Sequence, residues 1–135
     1  MQKIIITSHS RYPVARKEIR QNLKKFLAKK GLADDYRVHI MVVGDRQMTE
    51  LNEKYLKRQG TASVLSFPLY EADQKKPADS FWPKEEKTSL LDLGEIVLSY
   101  PQAIKRAMKN NLTLDDEIYF LIEHGLRHLL GEHHD

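Results

Sequence analysis

The chain closes with HGLRHLLGEHHD, and four of its six histidines lie between His124 and Asp135. His124 and His128 are four apart, so on an α-helix their imidazoles project from one face about a turn apart, close enough to share a tetrahedral ion. Such a pair alone is more often plain helix surface. Gly131, three residues on, lets the backbone leave the helix and turn back, and His134 follows after three more. The pattern HxxxHxxGxxH therefore delivers a third imidazole from outside the helix. With no cysteine in the chain, three neutral imidazoles suit zinc or a similar first-row divalent ion, one per chain. Structural zinc is usually enclosed by four protein ligands, whereas catalytic zinc keeps a place for water, so three ligands point to a catalytic ion. Such an ion acidifies water and polarises a phosphoryl or carbonyl oxygen. His133 is left as a contact to ligands or substrate, or as a solvent-exposed residue. His9 and His39 sit in or beside strands and read as structural or surface residues.

Zinc peptidases place a glutamate directly after the first histidine as general base. Gly125 stands there, which counts against peptide cleavage.

The elements that must position these residues are legible in outline. Lys3–Ser8 is a short β-branched run that reads as a buried strand. Pro13 opens a helix with Val14, Ile19, Leu23, Phe26 and Leu27 at helical spacing, and Gly31 stops it. Tyr36–Gly44 is a second strand, and Asp45 is the expected N-cap of a helix through QMTELNEKYLK. Val64–Tyr70 is a third strand whose Pro68 suggests an edge or an end. EADQKKPADSFWPKEEKTS, with the single tryptophan Trp82, reads as a long loop. A fourth strand lies around Gly94–Ser99, and Pro101 starts a further helix. In the last helix Thr113 is the N-cap, and Asp115, Asp116 and Glu117 set negative charge against the helix dipole. Leu114, Ile118, Leu121, Ile122, Gly125 and Leu129 form its apolar stripe, and Gly131 ends it. The expectation is a single α+β domain over 1–135, with a mixed sheet of about four strands, about four helices and a zincin-like metal helix at the C-terminus.

At 135 residues, 41% hydrophobic and 30% charged, the chain can bury one core and resembles neither a disordered nor a membrane protein. No segment reads as a signal peptide or a membrane span, so a cytoplasmic location is expected. The net charge of +3 favours polyanions only weakly and decides nothing alone.

The C-terminal residues are similar to the signature HGxLHLxGxDH of the YbeY family of bacterial endoribonucleases. His124, Gly125, His128, Leu129, Gly131 and His134 fall at its positions. VLSFP at Val64–Pro68 resembles the family's TDVLSFP, LGEIVLS at Leu93–Ser99 resembles LGDIxIS, and Leu51 and Asn52 match an LN pair at the right distance before VLSFP. The resemblance implies a mixed sheet packed with helices, a zinc-like ion on three histidines, and single-strand-specific cleavage of ribosomal RNA. It implies roles in maturing the 3′ end of small-subunit ribosomal RNA and in ribosome quality control, hence ribosomal RNA and the small subunit as partners.

Leu56 stands where the family carries an arginine held to matter for RNA cleavage. Arg58, two positions on, is the cation that could replace it if the loop is shaped differently. Ala62 and Ser63 stand where the family has threonine and aspartate or asparagine, and His133 replaces an aspartate. In the implied mechanism Arg58 or Lys57 neutralises charge developing on phosphate, and Ser66 orients the phosphate or simply bonds to backbone. Arg16, Lys17, Arg20, Lys24 and Lys25 either track the RNA backbone or form a solvated helix face. Trp82 stacks on a base or packs its own loop. Two alternatives stay open: a metallopeptidase-like hydrolase with a base from elsewhere, and a non-catalytic ribosome-associated metal-binding protein.

Overall fold

The computed structural model describes residues 2–32, 35–68 and 91–132. In chain order these form β1 (Gln2–Ser8), α1 (Arg16–Lys29), β2 (Tyr36–Val43), α2 (Asp45–Leu56), β3 (Val64–Phe67), β4 (Leu91–Ser99), α3 (Tyr100–Asn110) and α4 (Leu114–Leu129). One mixed sheet has the order β1-β2-β4-β3. β1, β2 and β4 run parallel, and β3 pairs antiparallel to β4 at the outer edge. Four helices and this sheet make the expected α+β domain.

The two central strands are covered on both faces, which is why they read as near-continuous apolar runs. Along β2, Tyr36, Val38, Ile40 and Val42 join a core built with α1, α3 and α4. The alternate residues Met41 and Val43 join a second core with Leu65, Phe67 and Val97, closed by Met48 of α2. The period-two pattern of a strand thus assigns α2 to one face and the other helices to the opposite face.

β1 is the other sheet edge, and its outward carbonyls need partners. Arg20 Nε donates to Ile4 O at 3.1 Å, and Arg16 donates to Ile6 O and to Ser8 Oγ. Two of the five α1 cations read as an RNA-tracking row or a solvated helix face are therefore spent on the sheet, while Lys17, Lys24 and Lys25 are exposed.

Several boundaries move for identifiable reasons. α1 begins at Arg16 rather than Pro13, and Val14 O accepts from Arg16 N. Gly44, not Asp45, is the N-cap of α2. The Asp45 carboxylate instead accepts from Ser99 Oγ at 2.8 Å, Thr61 Oγ1 at 3.1 Å and Gln102 Nε2 at 3.1 Å. Burial alone would raise its pKa, but these donors and the charge of Lys105 hold it below the ordinary carboxylate value. β4 starts at Leu91 and bulges at Leu93, since Arg37 pairs with Asp92 but Val38 with Gly94, whose φ of 117° a glycine accepts. β3 ends at Phe67, and Tyr70, the expected loop and Trp82 lie outside the described residues. Thr113 caps α4 as expected, accepting from Asp116 N at 3.1 Å. Glu117, expected to serve only the helix dipole, is fully buried and accepts from Arg106 Nε at 3.2 Å and Asn110 Nδ2 at 3.1 Å, tying α3 to α4.

Candidate active site

Gly125 sets the position of α4 against the sheet. A Cβ on it would lie 3.0 Å from Ile96 Cγ2 and 3.5 Å from Val64 Cγ2. Without one, the helix backbone approaches β3 and β4 more closely than any other residue allows. This also turns the residue after His124 toward packed aliphatic side chains, where a general base has neither room nor solvent.

His124 and His128 flank that glycine and are both half-buried. Their ring centroids are 4.8 Å apart with the planes at 59°. If each ring bound one ion through a nitrogen, its centre would sit roughly 3.2 Å from that ion, and a tetrahedral angle would separate the centres by about 5 Å. The pair fits a shared ion of that kind. Phe120, a turn earlier and largely exposed, stacks on His124 with centroids 6.5 Å apart.

Facing the imidazoles, Val64, Leu65 and Ser66 of β3, together with Leu56 at the end of α2 and Arg58 beyond it, complete a cleft of about 300 Å³. Arg58 reaches it because Lys57 takes a left-handed conformation, φ 56° and ψ 33°, at the end of α2. The chain turns there, so Leu56 and Arg58 line one cleft. Lys57 itself is exposed and is not among the lining residues. Ser66 is half-buried, opposite Ile96 in the β3–β4 register.

After α4 the chain turns as its glycine requires. Gly131, with φ 82°, donates to His128 O at 3.0 Å, and Glu132 N donates to Arg127 O at 2.9 Å, a Schellman ending. The Glu132 carboxylate is held by Lys30 Nζ at 2.9 Å and by Arg127. His133 and His134 lie outside the described residues. Among the described residues no third His, Asp or Glu joins the pair as a metal-ligating group.

The remaining histidines do not line the cleft. His39 Nε2 lies 2.8 Å from Thr7 Oγ1, and burial, followed by the charge of Arg37, lowers its pKa to about 4. His9 accepts from Arg11 N at Nδ1 and meets Tyr12 edge-on. Both match their structural expectation. Sequence reasoning missed the partners of Gly125, because contacts between α4 and two strands leave no local pattern. It also missed the anchoring of the loop that carries Arg58, for which Asn52, noted only as half of the LN pair, was the signal.

Comparison with known proteins assigns the chain to a family. The model of the family Endoribonuclease YbeY matches residues 5–135. A protein of Moorella thermoacetica named Endoribonuclease YbeY is 34% identical, over 100% of this chain and 85% of its own length. Namesakes from Dehalococcoides mccartyi and Prochlorococcus marinus are 37% and 32% identical over 71% and 72% of this chain. The match spans only 61% and 47% of those two proteins. The solution structure of TM1509 from Thermotoga maritima superposes with a TM-score of 0.57 at 22% identity, covering 100% of this chain and 75% of that one, a likeness of fold. By the family match and the identities to its members, the chain belongs to the YbeY family.

Proposed function

We propose that residues 1–135 act as one metallohydrolase domain, a metal-dependent endoribonuclease that cleaves single-stranded segments of ribosomal RNA. Its task would be maturation of the 3′ end of small-subunit ribosomal RNA and ribosome quality control, in the cytoplasm and in contact with the small subunit. The observation that carries this is two imidazoles 4.8 Å apart in a cleft that also holds Arg58 and Ser66. The relatives are named endoribonucleases throughout, which supports this reaction class. Among the described residues, no helix is long and apolar enough to cross a membrane.

His124, His128 and His134 would hold one zinc or similar divalent ion. When bound, it would supply Lewis acidity for a phosphoryl oxygen and acidify water in the cleft. The protein's own residues do the rest. Arg58 would pair with the scissile phosphate and gain strength as negative charge accumulates there in the transition state. Ser66 would donate its hydroxyl to a phosphate oxygen and fix the strand against the edge of the sheet. Exposed Lys57 would meet a neighbouring phosphate and contribute to salt-dependent affinity. Phe120 offers a face beside His124 for an unstacked base, as single-strand specificity requires.

A peptidase mechanism lacks its usual base directly after His124, where Gly125 faces Ile96. The test incubates metal-loaded protein with single-stranded and duplex ribosomal RNA and with an unfolded protein, each beside the His128→Ala variant. Cleavage of single-stranded RNA alone, lost with the histidine and with about one equivalent of metal, is expected. Cleavage of the protein substrate would favour the peptidase alternative. Ribosome binding with neither cleavage would favour a non-catalytic metal-binding role.

A further inference from the structure

We infer that Asn52 is a positioning residue that holds Arg58 in the cleft by tying down the loop between α2 and β3. The inference rests on the proposed role of Arg58 as the phosphate cation. Asn52 lies in the last turns of α2, and only 4% of it is exposed. Its side-chain Nδ2 donates to Gly60 O at 3.0 Å, and its backbone carbonyl accepts from Arg58 N at 3.3 Å. One residue therefore fixes the loop on both sides of the point where Arg58 leaves the backbone. Lys57 at φ 56° and Gly60 at φ 86° make the reversal that these bonds fasten.

The same side chain is a poor choice for stability. Asn52 Oδ1 is buried and has no hydrogen-bond partner among the described residues. A buried acceptor left unpaired costs free energy that an apolar side chain of similar size would not, and leucine has nearly that size and shape. An amide satisfied on one side only is explained by what its other side holds. Farther along, Glu53 Oε2 accepts from Gly60 N at 3.4 Å and Asp45 Oδ1 accepts from Thr61 Oγ1 at 3.1 Å, so the loop is fastened again before β3. Arg58 is exposed, and a long cation on a loose loop would have to be ordered at each encounter with RNA. A loop fixed beforehand has met that entropy requirement in folding.

The experiment is a double-mutant cycle on RNA cleavage with the full chain, comparing Asn52→Leu, Arg58→Ala and the pair, each checked by thermal melting. Asn52→Leu is expected to melt no lower than wild type yet to cleave about tenfold to a hundredfold more slowly, the order produced by an ångström of misplacement. In the Arg58→Ala background it should cost nothing further. Thr61→Val, on the exposed side of the loop, serves as a second cycle should Asn52→Leu fail to fold. It is expected to lose a few-fold, again only when Arg58 is present. Losses that multiply with that of Arg58→Ala overturn the positioning role while leaving the cation role intact. An Arg58→Ala variant that cleaves at the wild-type rate removes the cation role and this inference with it.

Discussion

Replacing Gly125 with alanine tests whether the close approach of α4 to the sheet sets the geometry of the cleft. Alanine gains about 1 kcal/mol of helix propensity over glycine. Its methyl, however, would sit 3.0 Å from Cγ2 and 3.4 Å from Cγ1 of Ile96, a side chain with no exposed surface. Overpacking of that kind costs about 1–3 kcal/mol, so a net loss of about 1 kcal/mol is expected. Ile96→Ala alone removes both contacting carbons and should cost about 3 kcal/mol through the cavity it leaves. In the double variant the clash is gone while the helix gain stays, and the new methyl fills part of the cavity. The sum of the single losses is about 4 kcal/mol, yet the double should lose only about 2 kcal/mol, a coupling of about 2 kcal/mol. Urea unfolding with unchanged m-values measures it. Additivity within about 0.5 kcal/mol would show that Gly125 is not selected by contact with Ile96. RNA cleavage should fall in Gly125→Ala and recover in the double variant, because raising α4 off β4 carries both imidazoles away from Ser66 and Arg58 across the cleft.

Three further outcomes follow from single groups. His39 has its folded pKa lowered to about 4 from 6.5, so between these values the unfolded chain binds the extra proton; stability is complete above about pH 6.5 and falls as pH drops toward 4, by about 1–2 kcal/mol once solvent access to the half-buried ring is allowed for. Denaturation at pH 7 and 4.5 should show this slope flattened in His39→Gln, and an equal slope in both proteins would contradict it. Gly131→Ala meets no neighbour but forces alanine to φ 82°, which should cost about 1 kcal/mol and, if the turn aims His134 at the ion, weaken zinc about fivefold; a lower melting temperature with unchanged zinc affinity would exclude that ligand. Glu117→Ala strands the Asn110 amide and the Arg106 guanidinium and should cost about 3 kcal/mol by thermal or urea melting, with Glu117→Gln losing clearly less; equal losses would show that hydrogen bonding is not what holds this residue.

Much of the architecture was legible because burial leaves a period. β2 and β4 are covered on both faces and announced themselves as apolar runs, and α4 carried a cap, an acidic first turn and a stripe whose Ile118, Leu121, Ile122 and Gly125 are buried, joined by Leu126, which the stripe left out. Boundaries failed where side chains served distant partners. Asp45 has the chemistry of an N-cap, yet its carboxylate is drawn to Ser99 of β4 and Gln102 of α3, which no local pattern reveals. Arg16 and Arg20 read as part of an RNA-tracking or solvated face because helical spacing shows which residues share a face, not what the face covers. Only the sheet order reveals that β1 is an edge whose carbonyls need donors.

The site divides along the same line. Two imidazoles one helical turn apart are fixed by local geometry, so spacing alone was enough to place them together. The cation opposite them is set by long-range closure, and its register is not a matter of counting. Moving from Leu56 to Arg58 adds two residues, which on a continued helix would carry the side chain about 200° around the axis and away from the cleft. The left-handed residue at Lys57 cancels that rotation by ending the helix, and both side chains come to line the same wall. A positive φ at a lysine is uncommon and carries a steric cost. It persists because Asn52, Glu53 and Asp45 hold the chain that follows, so the position of one arginine depends on three side chains earlier in α2.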